Sequence, residues 1–224
     1  MTDPEESHFQ TLRRDMLFVI AAHVMASSEL TGRSVLSESV MTAMLNVRRH
    51  YFVPDQVRQI AYDDSPLPIG HGKTISQPFI VALMTDLLDL EKADRVLEVG
   101  GGLGYQAAIM GYLAKEVHTV EIIEELADAA REIMHRLDID NVHVHPGNGE
   151  FGLSEHAPYD KVIVSTSADR VPQALVDQLK PGGRLIMPVG PEDDENLVLV
   201  QKGKAGTYTD RILPVRFSRM TLSH

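Results

Sequence analysis

The sequence predicts an α/β protein: a doubly wound, mainly parallel sheet with helices on both faces, late antiparallel edge strands and helices at the N-terminus. Three observations predict it. From residue 79 onward strand and helix signals alternate, which argues for a parallel sheet covered on both sides. A glycine-rich turn, Glu98-Val99-Gly100-Gly101-Gly102-Leu103-Gly104, stands between a strand signal and a helix signal. Apolar residues within 9–50 recur at helical steps. With 224 residues, 43% of them apolar, the chain fits one large domain or a domain with an added subdomain.

Each element follows in order. Leu12, Met16, Val19, Ile20 and Val24 fall on one helix face. Thr31-Gly32-Arg33-Ser34 breaks that pattern, and a second helix carries Val40, Met41, Met44, Leu45 and Val47 inward. The methionines here read as core packing. In residues 51–78, Pro54, Pro66, Pro68, Gly70, Gly72 and Pro78 forbid a long helix. Phe52, Val53, Ile60, Leu67, Ile69 and Ile75 are interleaved with them, so this segment reads as a packed loop over a site. Helices are then expected at 79–90, 105–114, 124–137 and near 172–179. Strands are expected at 95–99, 117–121, 142–145, 161–165 and, after a Pro181-Gly182-Gly183 turn, 184–188. Late strands at 197–201 and 212–217 are placed as an edge hairpin joined through Gly203–Gly206.

Composition narrows the function. The formal net charge of −11 argues against broad binding to nucleic-acid phosphates. The chain has no cysteine, which excludes disulfides and thiolate chemistry. No run of about 18 uncharged apolar residues occurs, so no membrane span is expected. Asp3, Glu5 and Glu6 stand where a secretory signal would be basic. The expectation is a cytoplasmic monomer.

The glycine turn carries the chemistry. Gly100, Gly102 and Gly104 let the backbone turn sharply and let a ligand approach closely. In a doubly wound sheet such a turn lies at the carboxyl end of the first strand, where ligands bind. Its spacing is not that of the dinucleotide G-x-G-x-x-G fingerprint. Glu98 just upstream would also repel a pyrophosphate, which counts against a dinucleotide oxidoreductase. A carboxylate there suits a cation, as in S-adenosyl-L-methionine with its sulfonium and α-ammonium groups. The next strand ends at Glu121, which can accept from ribose hydroxyls. The third ends in Gly147-Asn148-Gly149, whose amide oxygen can accept from an adenine amino group.

The sequence also resembles the protein-L-isoaspartate O-methyltransferases. The residues that carry this are Leu67-Pro68-Ile69-Gly70-His71-Gly72-Lys73-Thr74-Ile75-Ser76-Gln77-Pro78 and Val96 to Gln106. His156-Ala157-Pro158-Tyr159-Asp160 and Leu179 to Gly190 continue it. The Gly-x-Thr-Ile-Ser-x-Pro segment is the most specific to that family. The resemblance implies a Rossmann-like methyltransferase sheet and repair of damaged protein. The α-carboxylate of an L-isoaspartyl residue is methylated, the ester collapses to a succinimide, and the cofactor leaves as S-adenosyl-L-homocysteine. It implies a core over residues 79–224, with residues 1–78 as an N-terminal helical part and substrate loop packed on it. Isoaspartyl proteins or peptides are the implied partners.

The resemblance assigns Ser76 the active-site role, with Thr74 beside it. Ser76 would orient the substrate without forming a covalent intermediate. Gln77 and Gly149 join the cofactor-binding set. Ile75, Ser165 and, as a loop-ordering residue, His71 are expected on the substrate side. A carboxylate is already a nucleophile at neutral pH, so the reaction needs positioning more than a strong base.

Several positions depart from the family pattern. Gly101 and Leu103 stand for the common threonine and serine of the turn, and Asn148 for an aspartate. Lys73 stands for a frequent glutamine, where it could add charge near an acidic substrate. Ser165-Thr166-Ser167-Ala168-Asp169 and Arg216-Phe217-Ser218-Arg219 are altered as well. These changes keep open another carboxylate or a modified peptide as acceptor, or a non-catalytic cofactor-binding module. His143-x-His145 places two imidazoles on one strand face, too few for a metal, and no third ligand is expected nearby.

Overall fold

The computed structural model describes residues 4–221. Helices α1 (Pro4–Ala26), α2 (Ser28–Thr31) and α3 (Glu38–Asn46) open the chain. A hairpin of β1 (Leu67–Gly70) and β2 (Lys73–Ile75) follows, then α4 (Pro78–Leu88). The alternating part runs β3 (Arg95–Val99), α5 (Tyr105–Leu113), β4 (Glu116–Glu121), α6 (Glu124–Arg136), β5 (Val142–Pro146), β6 (Tyr159–Val164) and α7 (Gln173–Asp177). Strands β7 (Leu179–Val189), β8 (Glu195–Lys202) and β9 (Thr207–Val215) close it.

Seven strands form one sheet in the order β5-β4-β3-β6-β7-β8-β9. The first five are parallel, while β8 and β9 are antiparallel at one edge. Side-chain alternation divides the core. Val96, Val117, Ile163 and Ile186 join one cluster with α1 and α3 to α6. Their neighbours Leu97, Val162, Val164, Leu185 and Met187 join the other, with Leu175 of α7. Strand order reverses around β3, which pairs with both β4 and β6, so the crevice beyond its carboxyl end is the switch point.

Helix α4 supports the first face. Its sequence is apolar nearly all round, and all eleven of its residues are buried against α1, α3 and β7. Its polar members are satisfied: Thr85 Oγ1 accepts from Gln106 Nε2 at 2.8 Å, and Asp86 accepts the Ser37 N–H at 2.7 Å. Pro78 starts the helix, where a missing N–H costs nothing. No helix among the described residues is long and apolar enough to cross a membrane.

Three local expectations need correction. Val19 is exposed, and Phe9 takes a buried place on α1 instead. Within the proline-punctuated loop, β1 and β2 pair with Leu67 opposite Ile75 and Pro68 opposite Thr74. Such short strands show no periodicity, and an edge strand tolerates Pro68. Pro181-Gly182-Gly183 lies inside β7, where the register with β6 slips, and does not end a separate turn.

Leu97 is fully buried in the central strand, so Leu97→Ala is expected to cost about 2–5 kcal/mol in urea unfolding. Phe18, 76% exposed on α1, should change stability by less than about 0.5 kcal/mol on substitution by serine. Equal effects at the two sites would contradict this layering.

Candidate active site

The turn after β3 is tied to β4 by backbone. Gly100 and Gly101 N–H groups reach the Val120 carbonyl at 2.9 and 3.3 Å, and the Gly102 N–H reaches Glu121 Oε2 at 2.8 Å. Gly100, Gly102 and Gly104 have φ of 84°, 54° and 92°, a region open mainly to glycine. At Gly101 the constraint is space, because a Cβ would lie 2.1 Å from Thr119 Oγ1. In this chain Thr119 therefore leaves no room for a side chain at 101.

Glu98 lies beneath this turn. It has no exposed surface, and neither carboxylate oxygen has an aligned hydrogen bond among the described residues, the Thr119 hydroxyl being the polar group beside it. Burial pushes its carboxyl up to about 8; the Thr119 hydroxyl opposes the shift and the neighbouring Glu121 carboxylate adds to it. A buried acid without a partner is costly unless it is protonated or meets a cation. That orphaned carboxylate, lining a cavity with Gly100 and Gly102, fits the ammonium of a methionine moiety.

Above it opens a cleft of about 580 Å³, including space open to solvent. Gly100, Gly102, Glu121, Asn148, Gly149 and Ser165 line it, so three strand ends converge as expected. Glu121 accepts the Ile123 N–H on Oε1 at 2.9 Å as well as Gly102 on Oε2, and each oxygen keeps a further acceptor site. Asn148 Oδ1 accepts the Glu150 N–H at 2.9 Å, which shapes its own turn. Lys73 and Ile69 form the opposite wall.

A larger cavity of about 1730 Å³, including space open to solvent, adjoins the cleft. Thr74 and Ser165 line both, and Ser76 lines this larger cavity and the space over Glu98. The hydroxyls of these three residues bond to no described residue, so they are available to a ligand. Ile75 is buried beside them over Glu98. Gln77 lines the larger cavity, not the cofactor cleft, and donates to Asp64 at 2.8 Å. His71 lies at the exposed tip of the β1–β2 hairpin with φ of 52° and lines neither cavity.

Sequence reasoning missed several contributors. Asp64 also accepts the Phe79 N–H at 2.7 Å and pairs with His23 at 2.6 Å, so it fixes both sides of the Ser76-Gln77-Pro78 segment. Its place in Asp63-Asp64-Ser65-Pro66 signals a turn, but not its distant partners. His23, Ser27 and Leu30 wall the larger cavity from the N-terminal helices. Ser218 to Thr221 cover the cleft beside Thr166, whose buried Oγ1 has no hydrogen-bond partner among the described residues.

The sheet, the glycine turn, the orphaned Glu98 and the strand-end acceptors define a Rossmann-like methyltransferase. Residues 22–223 match the family model described as Protein-L-isoaspartate(D-aspartate) O-methyltransferase. Protein-L-isoaspartate O-methyltransferase 1 of Polaromonas sp. is 50% identical, over 97% of this chain and 92% of its own. Protein-L-isoaspartate O-methyltransferase 2 of Syntrophobacter fumaroxidans is 49% identical, over 95% and 87%. A solved protein-L-isoaspartate O-methyltransferase superposes with TM-score 0.82 at 29% identity, covering 93% of this chain and 66% of that one. A Plasmodium falciparum structure assigned to the same activity, in complex with S-adenosyl-L-homocysteine, gives TM-score 0.76 at 26% identity, over 95% and 97%. The chain belongs to the protein-L-isoaspartate(D-aspartate) O-methyltransferase family.

Glu98 generates a test by pH. Folded, it keeps its proton up to about 8; unfolded, it releases it near 4.5. The folded chain therefore binds more protons in that interval, and the group's stabilising contribution is lost as pH rises through about 8. His50, His118 and His145, pushed down by burial, act in the opposite sense below 6.5. From 6.5 to 8 the unliganded protein should lose up to about 1.4 kcal/mol per pH unit through Glu98, and Glu98→Gln should flatten that slope. Parallel slopes in urea titrations of the two proteins would sink this assignment.

Proposed function

We propose that the chain methylates the α-carboxylate of L-isoaspartyl residues in damaged proteins, using S-adenosyl-L-methionine. The observation that carries this reading is the junction at Thr74 and Ser165, which line both the cofactor cleft and the larger cavity, with the Ser76 hydroxyl beside them. S-adenosyl-L-methionine supplies an electrophilic methyl on a sulfonium and leaves as S-adenosyl-L-homocysteine. Glu98 holds the ammonium end, Glu121 accepts from the ribose, and Asn148 and Gly149 border the adenine. Thr74 and Ser76 grip the acceptor carboxylate and keep one oxygen in line with the methyl group. The acceptor arrives ionised, so the residues at the junction orient it and need not remove a proton.

The larger cavity opens to solvent beside the cleft, so an acceptor carboxylate can reach it on a peptide segment. Its outer wall comes from the N-terminal helices, so the described residues of the 1–78 part act as a cap on those of the 79–224 core. The charge of −11 supports protein acceptors over nucleic acid. We read the chain as a cytoplasmic monomer. A second acceptor class remains a specific alternative, because Ser165 and Arg216 to Ser218, from the two altered segments, both line the acceptor cavity.

The test is methyl transfer from labelled S-adenosyl-L-methionine to an isoaspartyl peptide and to its aspartyl counterpart. Transfer to the first alone is expected; transfer to neither, with cofactor binding intact, overturns the substrate assignment. Ser76→Ala should lower kcat/KM for the peptide about 10- to 100-fold, the worth of a lost hydrogen bond to a charged group, with little change in cofactor Kd. Glu98→Ala should show the reverse, weakening cofactor binding by about tenfold or more in calorimetry. Exchanged phenotypes would mean that the two roles are misassigned.

A further inference from the structure

The second face of the sheet carries a cluster of imidazoles that methyl transfer does not use. His118 lies on β4 with 2% exposure. His143 and His145 lie on β5, opposite His118 and Val120 in the parallel register. All three therefore project from one face, and His156 reaches them from the short turn at Ser154–His156. One ring nitrogen from each of His118, His145 and His156 lies within 4.8 Å of the other two. The expectation that His143-x-His145 has no third ligand nearby is thus corrected: His118 and His156 come to His145 from positions 27 residues before it and 11 after, through strand pairing and a turn.

We propose that His118, His145 and His156 form a binding site for one divalent transition-metal ion of the zinc class, separate from the methyl-transfer site. His118 Nδ1 and His145 Nε2 share a hydrogen bond at 3.1 Å, whose proton a metal ion would displace. The edge of a tetrahedron with zinc–nitrogen bonds of about 2.0–2.1 Å is about 3.3 Å, so this pair already has the separation of two ligands. The His156 ring stacks on His118 with centroids 4.1 Å apart. It is partly exposed, and one of its ring nitrogens lies within 4.8 Å of those of His118 and His145.

The surroundings match such an ion. The other nitrogen of His118, Nε2, is buried, lacks an aligned hydrogen bond and lies 3.3 Å from Glu116 Oε1. Glu116 in turn holds Arg95 Nε at 2.9 Å. A carboxylate behind a ligating imidazole fixes the ring and its tautomer and raises its basicity as a ligand. Three imidazoles with no carboxylate among them select zinc, nickel or copper over magnesium or calcium. A fourth, non-protein ligand such as water would complete a tetrahedron.

An ion there would join β4, β5 and the turn before β6. These bracket Asn148 and Gly149 of the cofactor cleft, so the ion would stiffen one lip of that cleft without touching the reacting atoms.

The test uses tag-free full chain, stripped with chelator, dialysed and titrated with zinc chloride in a calorimeter. One ion per chain is expected. His145→Asn and His156→Asn should each weaken binding about tenfold or more, while His135→Asn on the exposed side of α6 leaves it unchanged. Cobalt(II) added to the wild-type chain should give the intense visible bands of tetrahedral coordination, a readout that does not depend on any variant folding. Less than one ion per chain, a weak octahedral cobalt spectrum, or wild-type affinity in both variants overturns the proposal.

Discussion

The bond from the Gly102 N–H to the Glu121 carboxylate, 2.8 Å long, joins the turn after β3 to the end of β4, and the site depends on it. It works because β3 and β4 are paired in parallel register, Glu98 beside Thr119 and Val99 beside Val120. That register brings two strand ends to one level. One acid then lies buried under the turn with no cation beside it, while the other braces the turn from the side. Parallel pairing also places Asn148 and Gly149, one strand further out, on the same cleft. The chemistry of the cleft is thus a consequence of sheet register, with the glycines permitting the backbone to come close.

The acceptor side depends on a different unit. Ser167 exchanges backbone bonds with the C-terminal segment: its N–H reaches the Ser218 carbonyl at 2.9 Å, and its carbonyl accepts the Met220 N–H at 2.8 Å. Buried Glu195 joins the same unit, accepting from the Ser167 hydroxyl at 2.6 Å and the Phe217 N–H at 3.1 Å. Arg219 completes it by pairing with Asp169 and donating to the Gly190 carbonyl. The two segments that depart most from the family pattern are therefore in contact with each other. A change in one alters the setting of the other, and together they shape the wall where acceptor and cofactor meet.

Ser76 owes its place to neither unit. The β1–β2 hairpin delivers it from one side, and Asp64 anchors the next residues from the other through Gln77 and Phe79. His71 and Gly72, both at positive φ, close the hairpin in the geometry of a tight two-residue turn. The hydroxyl at the junction is thus held by backbone pairing and a buried carboxylate, which keeps positioning separate from cofactor binding.

The sequence by itself determined the parallel sheet, the order of its elements and the cofactor turn. These are local signals: Arg95–Val99 alternates with apolar helices, and glycine at 100, 102 and 104 states where the chain must turn. Family motifs likewise marked Thr74, Ile75 and Ser76 before any contact was known. Only the tertiary structure decided what meets across distance. Asp64 reaching Gln77, Ser167 meeting Ser218, and His118 and His156 gathering around His145 leave no periodic trace in the chain. Strand register and loop closure set those encounters, and both arise from packing the whole sheet.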